Sequence, residues 1–115
     1  KKGRNMTPTK KVLLITTTTA AAPIVANRFI GFDGKQAKAN TPVFGVTPYD
    51  AAAGESVAVE CIGIVLVEAG GAVAAGAKVA ADAQGCAVTG DNNAAGTAVT
   101  AAAASGELIA VILKG

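Results

Sequence analysis

The chain has 115 residues, enough for one domain with a modest core and too few for two. It is 51% hydrophobic, yet it contains three Phe, one Tyr and no Trp beside 14 Gly and an excess of Ala, so each buried side chain removes little area from water and an isolated monomer is expected to be only marginally stable. Ten basic against eight acidic residues give a net charge of +2, and the absence of His removes the commonest general base and metal ligand.

The basic residues cluster at the start. KKGRNMTPTKK, residues 1–11, holds Lys1, Lys2, Arg4, Lys10 and Lys11 with no acid, leaving five basic and eight acidic residues in the rest. Gly3, Pro8 and repelling charges offer no apolar face, so 1–11 is expected to be an extended, mobile arm and 12–115 a single β domain. Such an arm suits an acidic protein surface or nucleic acid, or serves as a solvated tail; no aromatic is interleaved for base stacking. The apolar run Val12–Ile15 is four residues long, short of the roughly 7 to 15 of a secretory signal, and no run approaches the roughly 20 of a membrane span. The expectation is a soluble protein made in the cytoplasm.

Val, Ile and Thr dominate the positions that are not Ala, and Gly, Asn, Asp or Pro recurs at the spacing of turns in an all-β sandwich or barrel. Strands are expected near 11–17, 28–33, 43–47, 56–68, 77–82, 86–89, 97–100 and 107–113. The alanine runs 20–22, 51–53 and 101–104 are too short to nucleate helices and are expected to connect strands. In 56–68, Val57, Val59 and Cys61 alternate with Ala58 and Glu60. From Ile62 the strand is apolar on both faces, with Gly63 at the change marking a bulge or a close backbone approach. A strand covered on both sides in so small a domain places Ile62, Ile64 and Leu66 at a subunit interface, or beneath a second sheet or loop.

Two ordered matches suggest an internal repeat. IVANRFIGFDGKQ (24–36) aligns with VAAGAKVAADAQG (73–85), and AAAGESVAV (51–59) with AASGELIAV (103–111), pairing Gly54 with Gly106 and Glu55 with Glu107. The reading is a duplicated unit of about 50 residues with repeat-like halves near 20–68 and 69–113, a pseudo-twofold arrangement in one domain. Val57 and Val59 should then match Ile109 and Val111 and face one core, and Asp33 should match Asp82 at a turn.

Little chemistry is available. Ser56 and Ser105 lie beside turn glycines outside any nucleophile elbow, and Asp33 and Asp82 are placed to bond their own turns. Cys61 and Cys86 have no His nearby; they are expected to behave as small apolar side chains, with a disulfide between them left open. No catalytic, cofactor or metal site is expected, and the chain is not read as an enzyme.

The segments ANRFIGFDG, GVTPYDAAAGESVAVECIGIVLVEAGGAVAAGAKVAADAQGCAV and AAASGELIAVIL resemble the small capsid decoration, or cement, proteins of tailed bacteriophages. The resemblance spans about residues 20–113 and rests on the order of Ala- and Gly-rich turns and strands. It implies a virion protein on the outer capsid surface that bridges major capsid subunits and associates with its own copies, a trimer preferred to a dimer. Capsid contact through the arm would fall to Lys1, Lys2, Arg4, Met6, Lys10 and Lys11, an assignment argued from the charges because the arm lies outside the resemblance. Two rivals remain: a nucleic-acid module acting through the arm, and a lipoyl or biotinyl-like carrier, whose modified lysine would have to be Lys35 in DGKQ although its surroundings do not match such a motif.

Overall fold

The computed structural model describes residues 9–114. They form eight strands: β1 (Lys11–Thr19), β2 (Arg28–Ile30), β3 (Gly45–Thr47), β4 (Ser56–Glu68), β5 (Lys78–Ala81), β6 (Ala87–Thr89), β7 (Gly96–Ala98) and β8 (Leu108–Leu113). Every expected strand is present and no helix forms among the described residues. The differences lie at strand ends. β2 stops at Ile30 because the Gly31 N–H turns back onto the Lys35 carbonyl (2.9 Å), and β1 runs on through four β-branched threonines.

The strands lie in the order β2-β3-β4-β8-β7-β5-β6, with β1 added to β4. Every named pair is antiparallel. The two ends of the sheet curl toward each other, and the Phe29 N–H donates to the Gly85 carbonyl (2.7 Å), joining β2 to the β5–β6 turn and nearly closing a barrel.

Several hydrogen bonds of the two halves correspond, with one residue more between Ala102 and Gly106 than between Ala51 and Gly54. Ile24 and Ala51 exchange both backbone bonds (2.9 and 3.0 Å), as do Val73 and Ala102 (2.9 and 2.9 Å). The Ala20 N–H donates to the Glu55 carbonyl and the Ala69 N–H to the Glu107 carbonyl, both at 2.8 Å. Glu55 Oε1 accepts from the Ala52 N–H (2.8 Å) and Glu107 Oε1 from the Ala103 N–H (3.1 Å). Gly54 and Gly106, at φ 91° and 92°, supply the same left-handed turn. By these bonds Thr16–Thr19 of β1 corresponds to Val65–Glu68 of β4, and Ser56–Cys61 of β4 to Leu108–Leu113 of β8. β4 is therefore the last strand of one unit and the first of the next.

Gly63 sits at that junction with φ 117°, where a side chain is strained. A Cβ there would also run into the Lys11 carbonyl and the Leu13 N–H of β1. Around it the β1–β4 register is irregular, between Val12 and Ile15.

Two expectations are corrected. Val57 and Val59 pack with Ala20, Ile24 and Ile30, whereas Ile109 and Val111 pack with Ala69, Val73 and Val79 in a larger cluster that Val65 and Val67 also enter. The matched residues thus face two clusters rather than one core, and the larger draws on both halves of the chain, since Phe29, Ala37 and Val46 enter it as well. Asp33 and Asp82 are not equivalent in their turns: Asp82 opens its turn, its N–H donating to the Cys86 carbonyl, a place held in the first unit by Gly31. Each carboxylate still accepts from the N–H two residues on, Lys35 (3.0 Å) and Gln84 (2.8 Å).

Candidate assembly surface

The second half of β4 alternates sharply. Gly63, Val65 and Val67 are buried, while Ile62, Ile64 and Leu66 are half-buried on the opposite face. Strand pairing sets Ile112 of β8 beside Ile64 and Ala110 beside Leu66, and sets Leu14 of β1 beside Ile62. The three residues expected at a subunit interface therefore share one outward apolar sheet face, which continues onto Leu14 of β1 and Ile112 of β8, while Ala110 beside Leu66 is itself buried. A soluble antiparallel sheet normally carries polar side chains on such a face.

The apolar surface does not stop at β4. Leu13, Leu14 and Ile15 are 72%, 48% and 55% exposed. On the other side of Ile62 is an open cleft of about 510 Å³ walled by Phe32, Phe44, Cys61, Ile112 and Leu113. Its origin is topological. β3 meets β4 at Glu60, and β8 meets β4 from Gly63 onward, so the two strands part between these points. At the mouth Phe32, 70% exposed, stacks on Phe44 with ring centroids 5.0 Å apart. No pattern in the sequence marked this cleft, since its walls come from β4, β7 and β8 and from the segments after β2, before β3 and before β7.

Of the candidate arm contacts, Lys1, Lys2, Arg4 and Met6 lie outside the described residues. Lys10 and Lys11 lie against the body. The Lys10 ammonium donates to Glu60 Oε2 (2.8 Å), whose side chain is 5% exposed, and Lys11 opens β1 opposite Ile64. Glu60 was legible in the sequence only as a residue of alternating pattern. Its burial against a lysine 50 positions away is a tertiary fact. A second ion pair, Arg28 Nε to Glu68 Oε1 at 3.2 Å, ties β2 to the end of β4.

Both cysteines are free thiols. Burial pushes each thiol above its ordinary pKa; at Cys86 the nearby Asp82 carboxylate adds to the shift. A raised pKa lowers the share of thiolate at neutral pH, so neither thiol is activated by its surroundings. Among the described residues, no group of three His, Cys, Asp or Glu side chains is arranged to hold a metal ion. Lys35 lies exposed in the turn after β2, its N–H donating to Asp33 and its carbonyl accepting from Gly31.

The family model described as "Phage cement protein" matches residues 8–113. Among solved structures, the chain is similar to one titled "The crystal structure of head fiber gp8.5 N base in bacteriophage phi29", with TM-score 0.71 and 24% identity over 88% of this chain and 93% of that one. That likeness shows a shared fold. No curated protein matches the chain by sequence.

Proposed function

From the premise that the chain belongs to the phage cement protein family, which gives it a structural role in the phage head and a place in the virion, we propose that it docks on the outer capsid surface and bridges neighbouring major capsid subunits. The observation that carries this reading is the outward apolar face of β4, where Ile62, Ile64 and Leu66 alternate with core residues and stay half-exposed. A neighbouring subunit, either a second copy or the capsid, covers that face and supplies the burial that a core of Ala and Val lacks. The basic arm, Lys1, Lys2, Arg4, Met6, Lys10 and Lys11, adds contacts on the capsid. Lys10 reaches the capsid only by leaving Glu60, so the first six residues carry most of that contact.

The test is decoration of heads that lack the protein. Ile64→Asp and Leu66→Asp each place a carboxylate on the outer face of the folded domain, so both should fold like wild type and lose occupancy. Burying an unpaired charge at an interface costs several kcal/mol, on the order of a hundredfold in binding. Deletion of residues 1–10 should lower occupancy further and weaken its salt dependence. Undiminished decoration by both aspartate variants would refute the role of the face, and undiminished decoration by the deletion would make the arm a passive tail.

A further inference from the structure

The strand pairing leaves part of β4 uncovered at the floor of the cleft. Glu60 pairs with Ile15 and Val46, and Gly63 with Val12 and Leu113, so β1 holds one edge of β4 while β3 and β8 share the other. Between Glu60 and Gly63 that shared edge has no strand beside it among the described residues, and Cys61 and Ile62 line the cleft there. Two residues of open edge, about 7 Å long, suit the backbone of an extended chain segment.

The walls set what such a segment must carry. Phe32, Phe44, Ile112 and Leu113 are apolar, and Phe32, stacked on Phe44, leaves an aromatic surface open at the mouth. Among the described residues Lys114 is the one charged side chain in the lining, and it is exposed. Neither ion pair among those residues involves it: Lys10 holds Glu60 and Arg28 holds Glu68. Glu60, next to Cys61, is thus already paired and does not oppose an incoming carboxylate. The neighbouring hollow of about 230 Å³, which shares Phe32, contains both Asp33 and Lys38 and adds no net charge.

We propose that the cleft takes an extended segment of the major capsid protein in which Phe, Leu or Val alternates with Asp or Glu. The apolar side chain enters between Phe44 and Ile112, a neighbouring carboxylate meets Lys114, and the backbone of the segment runs beside Cys61 and Ile62. In an extended chain successive side chains point to opposite sides, so an apolar residue directed inward leaves its acidic neighbours at the rim. Charge selects this occupant over the basic arm of another copy, since Lys1, Lys2 and Arg4 would bring like charge to Lys114. The open edge selects a polypeptide over a nucleic acid, which has no backbone amides to pair with it. Ile62 belongs both to the cleft and to the outward β4 face, so a seated segment continues onto the surface proposed to meet the capsid. The capsid as the source of the segment rests on that docking; the chemistry of the segment rests on the cleft alone.

Binding is read by nuclear magnetic resonance on the isotope-labelled full chain, titrated at low ionic strength with two end-blocked hexapeptides, EVEFEV and KVKFKV. EVEFEV should shift the amide resonances of Phe44, Cys61, Ile62 and Lys114, and KVKFKV should bind about fivefold more weakly or worse, the worth of one exposed ion pair. Lys114→Glu, made at an exposed position beyond the end of β8, should reverse that preference, and Phe32→Ser should weaken both peptides. On heads that lack the protein, Lys114→Glu should lower occupancy. Shifts absent from the cleft would overturn the inference, as would a preference that Lys114→Glu leaves unchanged. A short DNA duplex that shifts the cleft amides more than EVEFEV does would overturn it in favour of nucleic acid. Charge-dependent peptide binding together with undiminished decoration by Lys114→Glu would overturn the capsid as the source of the segment. Failure of the docking reading shows differently, as wild-type protein that binds EVEFEV and leaves heads bare.

Discussion

Thr47, at the end of β3, is fully buried, and its Oγ1 has no hydrogen-bond partner among the described residues. Its carbonyl accepts from the Asn27 N–H (2.9 Å), a bond repeated in the second unit by the Ala98 carbonyl and the Gly76 N–H (2.7 Å). The unit that carries Ala at this place has no hydroxyl to satisfy. Thr47→Val keeps the shape of the side chain and exchanges the orphan hydroxyl for a methyl group. Burying an uncompensated hydroxyl costs about 1–3 kcal/mol in proteins, and a methyl buried in its place contributes about 0.8 kcal/mol when it fits. Allowing for tight packing, the variant should gain about 1–2 kcal/mol, raising the melting temperature by on the order of 5 °C for a domain of this size. Urea unfolding followed by circular dichroism checks the magnitude: the midpoint should rise while the slope is unchanged. Thr47→Ser keeps the orphan and loses the methyl, so it should fall below wild type. A valine variant no more stable than wild type would show that the hydroxyl is satisfied in solution, and the argument from its isolation would fail.

Lys10→Met should destabilise the fold by about 1–3 kcal/mol, because it strands the Glu60 carboxylate, which is 5% exposed. Lys10→Met combined with Glu60→Gln should recover most of that loss in a double-mutant cycle, whereas additive losses would mean the two groups do not interact. The thiols predict a pH dependence. Folding raises both pKa values, so the unfolded chain loses its thiol protons first, and stability is full below the unfolded value of about 8.5 and declines as pH rises above it. Alkylation of folded protein should correspondingly need more alkaline solution than alkylation of a free cysteine. Replacing both cysteines by Ala should flatten the alkaline decline, and an unaltered decline would assign it elsewhere.

Much of the fold was legible because its signals are local. Strand positions follow from β-branched runs punctuated by Gly, Asn and Asp, and the recurrence of Gly then Glu before an apolar strand marked turns whose hydrogen bonds prove to correspond. That Ile62, Ile64 and Leu66 share one face of β4 was legible for the same reason, since a period of two assigns side chains to faces without knowledge of what lies beyond them.

What a face meets is another matter. The apolar stretch Ile62–Val67 had two readings, an interface or a strand beneath a second layer, and only the placement of β8 decided that Val65 and Val67 point to the core while their neighbours point out. The expectation of one shared core failed likewise, because β4 serves two units and which core each half enters depends on the curl of the sheet. Glu60 finds Lys10, Phe32 finds Phe44 and the cleft opens between β3 and β8 through contacts between residues far apart in the chain. The sequence by itself determined which residues become strands and turns, since φ preferences and side-chain alternation act over a few neighbours. Only the tertiary structure decided where the cleft opens and which charge is buried, because both depend on the order in which eight strands lie side by side, and strand order is set by the packing of the whole sheet.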